Sequence, residues 1–82
     1  MMDIQFTIYT KPGCSYCTKA KELITLHKGR YSERIIGEDI SRDAFLKLIP
    51  GVKTVPQILV SAGDEVEFIG GYDDLVQWYS TT

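Results

Sequence analysis

Thr10-Lys11-Pro12-Gly13-Cys14-Ser15-Tyr16-Cys17 holds both cysteines of the chain. Cysteines three residues apart can share one face of a helix, with Cα atoms near the ~5.5 Å that a disulfide prefers. They can join and part with little backbone movement. Pro12 and Gly13 interrupt regular structure, and Ser15 through His27 reads as helical, which places Cys14 at a helix N-terminus. There the free amide groups and roughly half a positive charge stabilise a thiolate, and Lys11 adds a nearby cation. Cys14 is therefore the expected nucleophile. Cys17, one turn inward, is the expected buried resolving thiol. A zinc site normally needs four ligands, and the chain offers no second cysteine pair and only His27. A purely structural disulfide closing so short a loop would restrict the unfolded chain little.

The 82 residues suit one domain with a single core. Hydrophobic residues at 44% and charged residues at 24% describe an ordinary globular chain rather than a disordered one. A net charge of −2 without a Lys/Arg run supplies no footprint for nucleic acid or an anionic membrane. Met1-Met2-Asp3-Ile4-Gln5-Phe6 lacks the basic and apolar regions of a secretory signal, and no stretch approaches membrane length. A cytoplasmic setting is expected. In such a reducing compartment a C-x-x-C reads as catalytic.

Outward from the cysteines, Ile4–Tyr9 alternates as a strand. The following helix has an apolar stripe of Cys17, Ala20, Leu23, Ile24 and Leu26, with Gly29 as its stop and His27 partnering its C-terminus. Tyr31–Ile36 suits a short edge strand, paired in parallel with the first through the helical crossover. Ser41 can cap a second helix whose buried stripe is Ala44, Phe45, Leu48 and Ile49, with Ile40 packing on Phe45 across the cap. Gln57–Val60 and Val66–Ile69 form a hairpin around a 61–65 loop, with Pro56 at its entry. Asp73 or Asp74 can cap a last helix that turns Leu75, Val76 and Tyr79 inward, with Trp78 at its flank. The predicted order is βαβ-αββα: an α/β chain resembling the thioredoxin fold, a four-stranded mixed sheet flanked by three helices.

Three separated motifs carry a closer resemblance: Lys11-Pro12-Gly13-Cys14-Ser15-Tyr16-Cys17, Thr54-Val55-Pro56-Gln57 and Gly70-Gly71-Tyr72-Asp73-Asp74-Leu75. In this order, over nearly the full length, the chain resembles a dithiol glutaredoxin. The resemblance implies a glutathione-dependent thiol–disulfide oxidoreductase, with Cys14 attacking and Cys17 resolving. It implies a cis Pro56 beside the cysteines, with the Val55 N–H and C=O turned outward to the glutathione backbone as an added strand would be. Gly70-Gly71 would let the tripeptide approach the backbone, and Asp73 and Asp74 would hold its γ-glutamyl end. Lys11 and Tyr16 match positions bordering the glycyl end, where Arg42 and Lys53 add charge. Thr54 and Tyr72 belong to the same implied groove.

Two departures stand out. Ser15-Tyr16 replaces the frequent Pro-Tyr, and some relatives with that serine assemble a [2Fe–2S] cluster between two subunits on the nucleophilic cysteine, Cys14 here, and bound glutathione. No other metal is implied. The segment between the hairpin strands also reads as longer and more acidic than the family's tight turn. The implied partners are glutathione and protein disulfides or glutathionylated proteins, with ribonucleotide reductase as one candidate substrate, and the implied state is a monomer unless a cluster bridges two chains. The rival readings are a thioredoxin-like donor to ribonucleotide reductase and a glutathione-ligated cluster carrier.

Overall fold

In the computed structural model, which describes residues 4–52 and 54–81, β1 (Ile4–Thr10) leads through the cysteine loop into α1 (Ser15–Leu26), and β2 (Arg30–Ile35) returns beside it. Then come α2 (Arg42–Leu48), the hairpin β3 (Gln57–Ala62) and β4 (Glu65–Gly70), and α3 (Tyr72–Thr81). The sheet order is β2-β1-β3-β4, with β1 parallel to β2 and antiparallel to β3, and β4 antiparallel to β3. This is the expected four-stranded mixed sheet with three helices. No helix among the described residues is long and apolar enough to cross a membrane.

Strand alternation divides the apolar side chains of the central strands between the two faces of the sheet. Phe6 and Ile8 of β1, with Ile58 and Val60 of β3, pack on Ala20 and Ile24 of α1 and Leu75 of α3. Ile8, Ile24, Ile58 and Leu75 are fully buried, each worth about 1.5–3 kcal/mol relative to exposure. Tyr9 points the other way and meets Phe45 and Ile49. The core thus clamps the C-terminal end of β1, where the cysteine loop begins, from both sides.

The start of α2 follows its sequence. Ser41 Oγ accepts the Ala44 amide at 3.1 Å, and Ile40 and Phe45 pack in one cluster across the cap. The expected four-residue stripe is narrower, because Ala44 and Leu48 are exposed. A helix of 7 residues spans only two turns, enough for Phe45 within it and Ile49 at its end to reach the sheet.

Other expectations need correction. Leu26 does not join the α1 stripe; it is 78% exposed, because two residues beyond Ile24 is nearly the opposite side of a helix. The helix ends at Leu26 with His27 as its cap. The Gly29 amide donates to Ile24 O and the Lys28 amide to Thr25 O, the paired bonds of a Schellman close. Lys28 takes the left-handed backbone, φ 60°. Gly29 serves a different need: a Cβ there would lie 2.8 Å from Ile24 Cγ2. His27 stacks on Tyr79 with ring centroids 3.9 Å apart. The 61–65 segment is not a long loop, since Ala62 pairs with Glu65 and leaves a two-residue turn with Gly63 at φ 63°. Val76 is exposed, and Trp78 packs edge-on to Phe6 in the core instead.

Candidate active site

Cys14 occupies the N-cap of α1 with extended backbone, and its Sγ accepts the Cys17 amide at 3.1 Å. A side-chain acceptor at this position satisfies one of the helix's free donors. Cys14 and Cys17 are joined as a disulfide, their Cα atoms 5.3 Å apart. The two sulfurs are unequal in access. Cys17 is 2% exposed, on the helix face that carries Ala20 and Ile24, whereas Cys14 is half-buried. The expected division between an outer and an inner cysteine is present in the geometry.

The Thr54–Gln57 segment meets the cysteine loop from across the sheet. The Val55–Pro56 bond is cis, and the Val55 carbonyl oxygen lies 3.8 Å from Cys14 Sγ. Gln57 holds the segment from behind, its Nε2 donating to Thr54 O at 2.9 Å. Tyr16, Thr54, Val55 and Pro56 form one wall of a cleft of about 350 Å³, and Gly71, Tyr72, Asp73 and Asp74 form the other. Residues from three separated motifs thus converge. The rings of Tyr16 and Tyr72 stand 5.9 Å apart, and Lys19 Nζ lies 5.1 Å from the Tyr16 centroid. Lys11 is not in this cleft. It borders an adjoining one of about 330 Å³ with Arg42, Thr54 and Val55. Lys53 lies outside the described residues.

The roles of the α3 start differ from the sequence expectation. The helix begins at Tyr72, so neither aspartate is its N-cap. Asp74 Oδ2 reaches back instead and accepts the Gly71 amide at 2.9 Å, the returning half of a capping box. This also accounts for Gly70: its φ is 120°, and a Cβ there would strike the Asp74 carboxylate. A Cβ on Gly71 would meet nothing closer than Pro56 O at 3.7 Å. Gly70 therefore serves the turn, and Gly71 stands at the cleft.

A second cleft, of about 560 Å³, opens on the other side of the cysteine loop and includes both Cys14 and Cys17. Its charged groups come from Lys11, Lys21, Glu33 and Glu38. Glu33 accepts from Thr10 Oγ1 at 2.7 Å and from Lys21 Nζ at 3.0 Å. The Thr10 hydroxyl, outweighing the opposing effect of burial, and then Lys21 hold its carboxyl below the usual range. Nothing in the sequence singled out this trio. Lys21 is legible as the residue one turn after Cys17, but Glu33 joins it only through strand pairing.

Against known proteins, the glutaredoxin family profile matches residues 6–66. The chain belongs to the glutaredoxin family. It is 41% identical over 69 residues to glutaredoxin 3 of Escherichia coli, covering 83% of this chain and 77% of that protein. It is 35% identical over 74 residues to the hybrid peroxiredoxin hyPrx5 of Haemophilus influenzae, covering 90% of this chain but only 29% of that longer protein. Among solved structures, reduced E. coli glutaredoxin superposes with TM-score 0.73 at 30% identity, covering 95% of each chain. A buckwheat glutaredoxin–glutathione complex superposes with TM-score 0.64 at 28% identity, covering 93% of this chain and 68% of that one. Family and fold, together with the Cys14–Cys17 pair, make this glutaredoxin a thiol–disulfide oxidoreductase.

Proposed function

We propose that the protein is a glutathione-dependent dithiol reductase of protein disulfides and glutathione mixed disulfides. Cys14, as a thiolate capped by the Cys17 amide and the α1 dipole, attacks the substrate disulfide. The substrate's first sulfur leaves as a thiol and the second stays bonded to Cys14. Cys17 then attacks Cys14 Sγ, releases the second sulfur and closes the disulfide; glutathione restores the dithiol. For a glutathionylated protein, Cys14 alone takes up the glutathione and a second glutathione frees it.

The observation that carries this reading is the convergence of Tyr16, Thr54, Val55, Pro56, Gly71, Tyr72, Asp73 and Asp74 on one cleft, with Val55 joining it to Cys14 Sγ. Its dimensions fall in the range of small-ligand sites. The Val55 backbone suits pairing with an extended tripeptide. The α3 start and its two carboxylates suit the zwitterionic γ-glutamyl end. Lys11 and Arg42 in the adjoining cleft suit the glycyl carboxylate. The glutathione complex of the buckwheat relative supports the same ligand. A thioredoxin-like donor to ribonucleotide reductase has no use for such a cleft.

The cluster-carrier reading would use one thiolate, Cys14, from each of two chains and one from each of two bound glutathiones, four ligands in all; Cys17 is enclosed and would take no part. Anaerobic reconstitution with iron, sulfide and glutathione tests it: a coloured dimer supports this reading, and a colourless monomer counts against it.

The deciding experiment is glutathione-coupled reduction of a small mixed disulfide by the purified protein. Turnover that saturates with the mixed disulfide and requires glutathione supports the assignment. Turnover supported by a thioredoxin reductase but not by glutathione overturns it.

A further inference from the structure

The second cleft calls for its own explanation. Lys21 and Glu33 are each more than a quarter exposed, and an ion pair so placed contributes little to stability. Yet Glu33 is doubly anchored, and one anchor, Thr10, is itself buried at the end of β1. Lys21 follows Cys17 by one helical turn, on the same face, and both line the cleft that includes the disulfide.

We propose that Lys21 and Glu33 are positioning residues for the inner thiol, setting the acidity of Cys17 in the reduced enzyme. The proposal rests on the reading that Cys17 is the resolving cysteine. During resolution the Cys17 S–H bond breaks and its proton passes to water in the cleft. The thiolate bonds to Cys14 Sγ, and the Cys14–substrate S–S bond breaks. The substrate sulfur leaves as a thiolate that solvent protonates. A thiol as enclosed as Cys17 loses its proton reluctantly. The Lys21 ammonium favours the thiolate, and the Glu33 carboxylate opposes it while holding Lys21 in place. Thr10 fixes Glu33, so the balance between the two charges is set by the β1–β2 pairing.

Other groups near α1 are accounted for. β1 contributes the uncharged Thr10, β2 contributes Glu33, and the flanking loops contribute Lys11 and Glu38. From α3, Tyr72 packs on Tyr16 and Tyr79 on His27, while Asp73 and Asp74 line the opposite cleft. Glu33 stays ionised throughout the range in which a thiol titrates, because its carboxyl is held below the usual range by Thr10 and Lys21.

The test is the ionisation of Cys17 in a Cys14→Ser background, followed by thiolate absorbance against pH, with no glutathione present. Lys21→Met is expected to raise the Cys17 pKa and Glu33→Gln to lower it, each changing the thiolate fraction at neutral pH roughly three- to tenfold. Lys21→Arg, which keeps the cation, is expected to retain the parent value. A merely structural tie between α1 and β2 cannot produce opposite shifts. Shifts of the same sign, or none in either variant, overturn the proposal. If Lys21→Met does not fold, Glu33→Gln against Lys21→Arg decides it, a lowered pKa in the first alone supporting the proposal and any other result refuting it. Because glutathione takes no part, failure here is distinct from failure of the coupled assay.

Discussion

Cys14 Sγ and the carbonyl oxygen of Val55 lie 3.8 Å apart although 41 residues separate them in the chain. The contact joins the two halves of the fold, the β1–α1 loop and the approach to β3, at the outer sulfur and not the inner one. On the proposed mechanism, chemistry with an incoming disulfide begins at Cys14. Cys14→Ser is expected to abolish both protein-disulfide reduction and deglutathionylation. Cys17→Ser is expected to lose the former and keep the latter. Equal losses in both variants, measured with one glutathionylated substrate, would refute this division of labour.

Asp74 combines a structural bond with a proposed ligand contact, and substitution can separate the two. Asp74→Ala removes the acceptor of the Gly71 amide and is expected to cost about 1 kcal/mol of stability. Asp74→Asn keeps an acceptor oxygen but not the charge. It should unfold close to the parent temperature while raising the KM for a glutathione mixed disulfide several-fold with kcat less affected. An unchanged KM would remove Asp74 from the ligand site.

Glu33 predicts the shape of the acid arm of the stability curve. In the folded state its carboxyl is held below the usual carboxylate range, chiefly by the Thr10 hydrogen bond and then by Lys21. The folded state therefore binds the proton less readily than the unfolded state. The resulting stabilisation is complete above the unfolded pKa and is lost as pH falls through the folded one. Melting temperature measured between neutral and strongly acidic pH should fall less steeply in Glu33→Gln than in the parent.

The end of α1 provides two substitutions of opposite sign at adjacent positions. Gly29→Ala sets a methyl group 2.8 Å from Ile24 Cγ2 and 3.2 Å from Ile24 O, and should destabilise by about 1–3 kcal/mol. Lys28→Gly relieves a left-handed non-glycine residue and should stabilise by up to about 1 kcal/mol. Denaturant midpoints of the two variants, falling on opposite sides of the parent, would bear this out.

Where sequence reasoning worked, the signal was local. The Ser41 cap, the Ile40–Phe45 staple and the Cys14 N-cap depend on residues within one turn of each other, and each is found where expected. It went astray where a property depends on what lies across the gap. The exposure of Leu26, Leu48 and Val76 follows from helix rotation against the sheet, which apolar composition alone does not encode. The 61–65 segment read as a loop because Ser61, Ala62 and Glu65 are weak strand formers, but pairing along β1 and β3 carries the ladder through them.

By itself the sequence determined the order of elements, the redox pair at the start of α1, and the three motifs that line the cleft proposed for glutathione. Each is written in short-range spacing, where side chains meet their own backbone. The tertiary structure alone decided that Lys11 borders a neighbouring cleft, and that Thr10, Lys21 and Glu33 meet in the cleft that both cysteines line. Those relationships depend on strand register and on the seating of a helix on a sheet, and contacts across such distances in the chain exist only once the core has packed.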